Sequence, residues 1–265
     1  MKTTSPKAIS GTREWASHNA NCIFGCSHNC RYCYARAMAV QFGRKTLASW
    51  PNEEVNMSAV HSPRGRIDGT IMFPTTHDIT PGNYRWCEQV IGRIVDAGNR
   101  LLIVSKPHRA VIDRLCNRFA LQREQIRFRF TIGSFDDDIL SYWEPQAPAF
   151  FERRDALILA REKGFSTSVS VEPLLDSDGL LALVKLLSPY VSDSIWVGKM
   201  NKIRRRVQVE NPEDSRRIRE IEEGQTDERI RAIYEDLKGN PLIRWKESIK
   251  KIVGLPLASE AGLDR

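Results

Sequence analysis

The chain's 265 residues are 41% hydrophobic and 28% charged, and they carry a formal net charge of +7. This length suits one large domain or two small ones, and the composition is that of a soluble globular protein. No run of eighteen apolar residues is present, which excludes a transmembrane helix, and the opening MKTTSPKAIS lacks the apolar stretch of a secretory signal. A reducing, cytoplasmic location is therefore expected, where disulfides are rare and clustered cysteines serve metals or redox chemistry. The positive balance is compatible with a phosphate-bearing partner.

In chain order, a first short strand is expected near Asn21–Phe24, running into CIFGCSHNCRYCYARA at 22–37. A long insertion follows at 44–68, either a lid or, through Arg64 and Arg66, a phosphate contact. GTIMF (69–73) reads as a buried strand, YRWCEQVIGRIVDAG (84–98) as a helix ended by Gly98, and RLLIVSK (100–106) as a strand. PHRAVIDRLCNRFA (107–120) reads as a helix opened by Pro107. IRFRFTIGS (126–134) alternates and reads as a strand. PAFFERRDALILAREKG (148–164) is an amphipathic helix ended by Gly164, and STSVSVEPL (166–174) is a strand. A helix over DGLLALVKLLS (178–188) and a strand over DSIWVGK (193–199) complete the series. From residue 201 the chain is dense in charge. Two or three helices are expected to pack on the preceding core, with Arg204, Arg205 and Arg206 as phosphate contacts or a solvated face.

This alternation predicts parallel βαβ units and an α/β fold: a partial (β/α)6 TIM-like barrel over 1–200 with a charged helical extension at 201–265. A doubly wound sheet is the other architecture. In both, chemistry gathers at the C-terminal ends of the strands. The cysteine loop, Ser105, Lys106, Ser134 and Glu172 all occupy such ends.

The loop's Cys26, Cys30 and Cys33 have the spacing CxxxCxxC. Three thiolates so spaced can reach three irons of a [4Fe–4S] cluster and leave the fourth open to a substrate or cofactor. Cys22 brings the count to four thiols, enough for structural zinc, but four in so short a loop must fold it across itself to make a tetrahedron. Redox thiols are a third use. A Cys22 on the strand would point into the core. Cys87 and Cys116 fall on predicted helices, as small buried residues. His28 is expected to face solvent or to support the ligands.

CxxxCxxC with the aromatic Tyr32 before its last cysteine resembles the signature of the radical S-adenosylmethionine superfamily. GCSHNCRYCYAR, LLIVSKPHRAV and EPQAPAFFERRDALILAREKGFSTSVSVEPLLD are similar to its spore photoproduct lyase and DNA-repair-photolyase-like branch, so that 1–200 would be the superfamily core. The resemblance implies that Cys26, Cys30 and Cys33 hold a [4Fe–4S] cluster and that S-adenosyl-L-methionine chelates its open iron. Reductive cleavage would then give methionine and a 5′-deoxyadenosyl radical that abstracts hydrogen from the substrate. It places Tyr32 near the adenine, Lys106 against the methionyl carboxylate with Ser105 beside it, and Ser134 and Glu172 among the cofactor's polar contacts. An electron donor such as flavodoxin or ferredoxin is implied as partner. The Gly-Gly-Glu stretch that receives the cofactor's amino group in much of the superfamily is replaced by MFPTTHD (72–78), leaving Thr75, Thr76, His77 or Asp78 for that task. Threonines also stand where the spore lyase carries a hydrogen-donating cysteine, which counts against that reaction.

The branch, the charge and the arginine-rich helices imply a nucleic-acid base or nucleotide as substrate, in repair or modification, extruded from a duplex or taken single-stranded. Trp50, Trp86, Trp143 and Trp245 are available as stacking platforms. Two readings compete: a radical enzyme acting on a peptide or small metabolite, and a non-catalytic zinc- or cluster-containing nucleic-acid-binding protein.

Overall fold

The computed structural model describes residues 9–264. The chain first forms β1 (His18–Asn19), β2 (Ile23–Phe24), α1 (Tyr34–Gln41), β3 (Glu54–Val55), α2 (Met57–His61) and β4 (Thr70–Phe73). Regular alternation follows: α3 (Tyr84–Asp96), β5 (Arg100–Ser105), α4 (Arg109–Arg118), β6 (Ile126–Thr131), α5 (Asp137–Trp143), α6 (Phe150–Glu162), β7 (Ser166–Val171), α7 (Leu180–Leu187) and β8 (Ile195–Val197). The last part adds α8 (Ile203–Arg206), α9 (Pro212–Gly224), α10 (Asp227–Leu237), β9 (Ile243–Trp245) and α11 (Glu247–Val253).

Seven strands form one sheet in the order β1-β4-β5-β6-β7-β8-β9, every pair parallel. This is the expected α/β architecture of a partial barrel. Alternation along each strand sorts side chains between two buried faces. Leu101 and Ile103 of β5 and Phe128 and Phe130 of β6 join the main core under the helices, whereas Met72 and Leu102 pack with Ala16 on the inner face. The inner face of β6 and β7 is polar, with Arg129, Thr131, Ser168 and Ser170 all buried. The polar positions of IRFRFT and STSVSV thus face the barrel interior rather than bulk water.

The sheet differs from expectation at both ends. Its first strand is His18–Asn19, fixed by Ser17 N–H donating to Thr70 O at 3.2 Å and Ala20 N–H to Met72 O at 2.9 Å. Ile23–Phe24 instead pairs antiparallel with Glu54–Val55. Two polar residues on a sheet edge leave no hydrophobic pattern to read. At the other end, NPLIRW contributes β9, parallel to β8, and residues after 200 hold four helices rather than two or three. The helix expected from Pro107 begins at Arg109 with His108 as N-cap. The unpredicted α5 is capped by Asp136, whose carboxylate accepts from the Asp138 and Ile139 N–H groups.

Among the described residues β9 does not pair with β1. A 3-10 turn over Gly11–Glu14 sits at that open side. Lys246, just after β9, donates to Gly11 O at 2.9 Å and pairs with Glu14 at 3.0 Å, and Glu247 N–H donates to the same carboxylate. The N-terminal segment therefore closes the barrel laterally.

Candidate active site

The cysteine loop is held from two sides. Gly25 has φ +92°, and a Cβ there would lie 2.6 Å from Trp50 O and 2.7 Å from Asn52 O, so only glycine fits. Cys26 N–H donates to Trp50 O at 3.1 Å. Glu53 accepts from both the N–H and the hydroxyl of Ser27 at 2.9 Å, and its second oxygen accepts from Asn83 at 2.9 Å. The 44–68 insertion thus acts as a brace for the cysteine loop. On the far side Arg31 N–H donates to Trp143 O at 2.9 Å, and its guanidinium reaches Asp214 of α9 at 3.2 Å. Cys33 is the N-cap of α1, its sulfur accepting from Arg36 N–H at 3.4 Å.

The loop forms one end of a cavity of about 590 Å³. Cys26, Cys30 and Cys33 line it, and Cys22 does not. Cys22 is buried in the main core with its sulfur 3.9 Å from that of Cys87. Three thiols face the cavity and the fourth faces away. Burial raises Cys26 well above the usual thiol range and pushes Cys30 up to about 12. Such thiols become thiolates only when a cation compensates the lost water. The set fits a three-thiolate cluster site and not a four-thiolate zinc site.

Asp78 organises the cavity's polar wall. One carboxylate oxygen accepts from the Ser105 hydroxyl and the Lys106 N–H, both at 2.8 Å. The other lies 2.9 Å from His28 Nδ1 and 3.5 Å from Lys106 Nζ. Burial alone would raise the Asp78 pKa, but Lys106 and His28 outweigh it and hold the carboxyl well below its usual range. The Lys106 ammonium is likewise held well above its ordinary value, Asp78 outweighing burial. Ligand atoms of Cys26, His28 and Asp78 lie within 4.8 Å of one another. Both His28 nitrogens are occupied, however, Nδ1 by Asp78 and Nε2 by His108 at 2.9 Å, so this trio is a hydrogen-bonded support and not a separate metal site. Beneath Lys106, 5.8 Å from its nitrogen, lies the Tyr32 ring. The Tyr32 hydroxyl donates to Glu144, which forms a fully buried 2.5 Å pair with Arg153.

Of the other residues singled out from sequence, Thr76 and Glu172 line the same cavity, and Glu172 lies 3.4 Å from Lys246. Ser134 stands apart: its hydroxyl donates to Asp176 and accepts from Asp136 N–H, fastening the turn before α5. His28 does not face solvent; it is 1% exposed. Trp50, Trp143 and Trp245 are buried, and Arg85 covers Trp86 at 3.9 Å. Arg64 and Arg66 lie outside the cavity lining. Sequence reasoning missed Arg13, Trp15, Thr131 and Ser170, all of which line the cavity. Thr131 and Ser170 were visible only as the polar beat of their strands, and the N-terminal pair left no signal.

The architecture is a partial α/β barrel, and the solved structures that share it include several of spore photoproduct lyase. A cysteine-to-alanine mutant with dinucleoside spore photoproduct superposes with a TM-score of 0.58 at 16% identity, covering 92% of this chain and 79% of that one. A double mutant with bound AdoMet and dinucleoside spore photoproduct gives 0.56 at 16% identity over the same shares. A tyrosine-to-phenylalanine mutant gives 0.56 at 18% over the same shares. By sequence, an uncharacterized protein of Methanocaldococcus jannaschii is 25% identical over 180 residues, 66% of this chain and 67% of that protein. No family model matches the chain.

Proposed function

We propose that the protein is a radical S-adenosylmethionine enzyme acting on a nucleic-acid base or nucleotide. The observation that carries this is the convergence of Cys26, Cys30 and Cys33, without Cys22, and of an Asp78-anchored Lys106 on one cavity. The three thiols would hold a [4Fe–4S] cluster, which together with S-adenosyl-L-methionine supplies the 5′-deoxyadenosyl radical that takes hydrogen from the substrate. Lys106 offers its ammonium to the cofactor's carboxylate, and Asp78 keeps that ammonium charged and aimed. Asp78 is engaged by Ser105, His28 and Lys106, which leaves Thr76, on the same wall, for the cofactor's ammonium. Tyr32, tied to Glu144, lends a ring face to the adenine. The braced loop and the closed barrel side keep bulk water from the reacting atoms.

The AdoMet and dinucleoside photoproduct in the solved neighbours support both the cofactor and a nucleic-acid-type substrate. The thiols lining the cavity among the described residues are Cys26, Cys30 and Cys33, with threonines at 75 and 76. A substrate radical here meets no additional cavity thiol, which favours repair or modification chemistry other than thiol-terminated photoproduct lysis. The electron comes from a donor of the flavodoxin or ferredoxin type. No described helix is long and apolar enough to cross a membrane.

The test is anaerobic reconstitution with iron and sulfide, then dithionite and S-adenosyl-L-methionine, with 5′-deoxyadenosine as the readout. Its formation is expected in the wild type and not in Cys26→Ala, Cys30→Ala or Cys33→Ala. One bound zinc and no 5′-deoxyadenosine would overturn the reading in favour of a binding protein.

A further inference from the structure

The cavity lining carries more cations than anions, with Arg13, Lys106, Lys199 and Arg206 against Asp78 and Glu172. Lys106 pairs with Asp78 at 3.5 Å, and Glu172 lies 3.4 Å from Lys246, which also pairs with Glu14. Lys199 lies 4.0 Å from Asp227. Arg13 and Arg206 both line the cavity, and neither side chain makes an ion pair or hydrogen bond among the described residues. The three consecutive arginines of α8 have diverged: Arg204 is held by Glu222 at 2.6 Å, Arg205 is exposed, and Arg206 alone is half-buried against the cavity. Its guanidinium lies 6.0 Å from the centroid of the Tyr34 ring, which orients it. Two residues of the lining hold buried polar groups without a partner, the hydroxyl of Ser170, 1% exposed, and the indole N–H of Trp15. A half-buried guanidinium that bonds no acceptor, in a lining richer in cations than in anions, calls for an acceptor-rich anion. The planar fork of arginine matches phosphate with two parallel bonds.

We infer that Arg206, assisted by Arg13, holds a phosphate of the substrate. The substrate is then a phosphodiester-bearing nucleotide or strand rather than a free nucleoside, peptide or neutral metabolite. This rests on the function proposed above and names the substrate class for the same cavity. Lys106 serves the cofactor's carboxylate, so the two anionic groups are read by different cations.

The probe is a pair of dinucleotides, thymidylyl-thymidine and its uncharged methylphosphonate-linked analogue, titrated onto the reconstituted protein. A charge-assisted bidentate contact predicts that the wild type binds the phosphodiester about 10-fold more tightly or better. In Arg206→Gln the preference falls below about 3-fold, and Arg206→Lys retains part of it. On single-stranded oligonucleotides the Gln variant also flattens the dependence of log Kd on log salt by about 0.7, one phosphate contact. Circular dichroism confirms that each variant is folded. Equal wild-type affinity for the two probes, or an undiminished preference in Arg206→Gln, overturns the inference. 5′-Deoxyadenosine is measured in parallel: its absence in the wild type overturns the catalytic reading, while a phosphate preference that depends on Arg206 still supports the subsite.

Discussion

Replacing Asp78 by Asn tests the central electrostatic element. The change keeps the shape of the side chain and an oxygen for Ser105 and Lys106 N–H, but removes the charge opposite the Lys106 ammonium. At 3.5 Å, Coulomb's law brackets the lost attraction between about 1 kcal/mol in water and about 5 kcal/mol at an effective dielectric near 20. The two side chains are only 12% and 10% exposed, which places the pair toward the upper figure. The Asn amide also turns an N–H toward donors. A destabilisation of about 3 kcal/mol follows, within the range for breaking a buried pair, and for a chain of this size that lowers Tm by roughly 6–12 °C. Urea unfolding of wild type, Asp78→Asn, Lys106→Met and the double variant forms a cycle in which the double variant recovers about 2 kcal/mol relative to the sum. The pH dependence has a fixed sign. A carboxyl whose folded pKa is depressed stabilises the fold above its unfolded pKa, near 3.9, and loses that contribution as pH falls through the folded value. The gap between wild type and Asp78→Asn should therefore stay flat from pH 8 to about 5 and close only below about 4. A cost under about 1 kcal/mol, strict additivity in the cycle, or a gap that closes near neutrality would refute the view of Asp78 as the counter-charge of Lys106.

Cys22→Ala should retain the full iron and sulfide content of the wild type, because its sulfur faces Cys87, at a stability cost of about 1 kcal/mol from the small hole left in the core. Iron analysis and urea unfolding check this, and loss of the cluster would place Cys22 among the ligands after all. Glu53→Ala removes the acceptor of both Ser27 donors and of Asn83; it should cost about 2 kcal/mol and speed the loss of cluster to a chelator, whereas a chelation rate equal to wild type would deny the brace. Because burial raises the Cys26 pKa and pushes Cys30 up to about 12, these two thiols are protonated in the metal-free fold at neutral pH and must release protons on binding. Reconstitution titrations should show apparent affinity rising with pH between 6.5 and 8.5 by up to about tenfold per unit for each proton released, and a flat profile would contradict buried, protonated thiols.

Much of the site was legible because its chemistry depends on spacing. Cys26, Cys30 and Cys33 are close in sequence, and Lys106 follows an apolar strand whose end had to lie near theirs if the sheet was parallel. What was not legible depended on tertiary contact. His28 sits in a polar loop, and nothing local predicts that residues 50 and 80 positions away, Asp78 and His108, will bury it. Ser134 looked equivalent to Ser105 by position at a strand end, yet Asp136 and Asp176 offer it closer partners. The sheet edges were missed for a related reason. His18–Asn19 and Ile243–Trp245 are too short to show a period, and their partners lie 53 residues onward and 48 residues back. Arg204–Arg206 read as one basic run, and only the fold of α8 separates the residue that turns inward from the two that do not.

The lateral closure links the fold to the proposed chemistry. A seven-stranded parallel sheet with unpaired ends leaves a gap between β1 and β9 through which water would reach the cavity. Here Gly11–Glu14 occupies that gap, and the buried Lys246 ties it down through Gly11 O and the Glu14 carboxylate. The same lysine meets Glu172, so the residue that closes the side wall also holds a carboxylate of the cavity lining. Lys246 divides its charge between Glu14 and Glu172, yet Arg13, Lys106, Lys199 and Arg206 still outnumber Asp78 and Glu172 in the lining. Closure and substrate charge selection are therefore linked: the turn that seals the barrel delivers Arg13 and Trp15 to the cavity, where Arg13 and Arg206 add the positive charge that suits an anion brought in from outside.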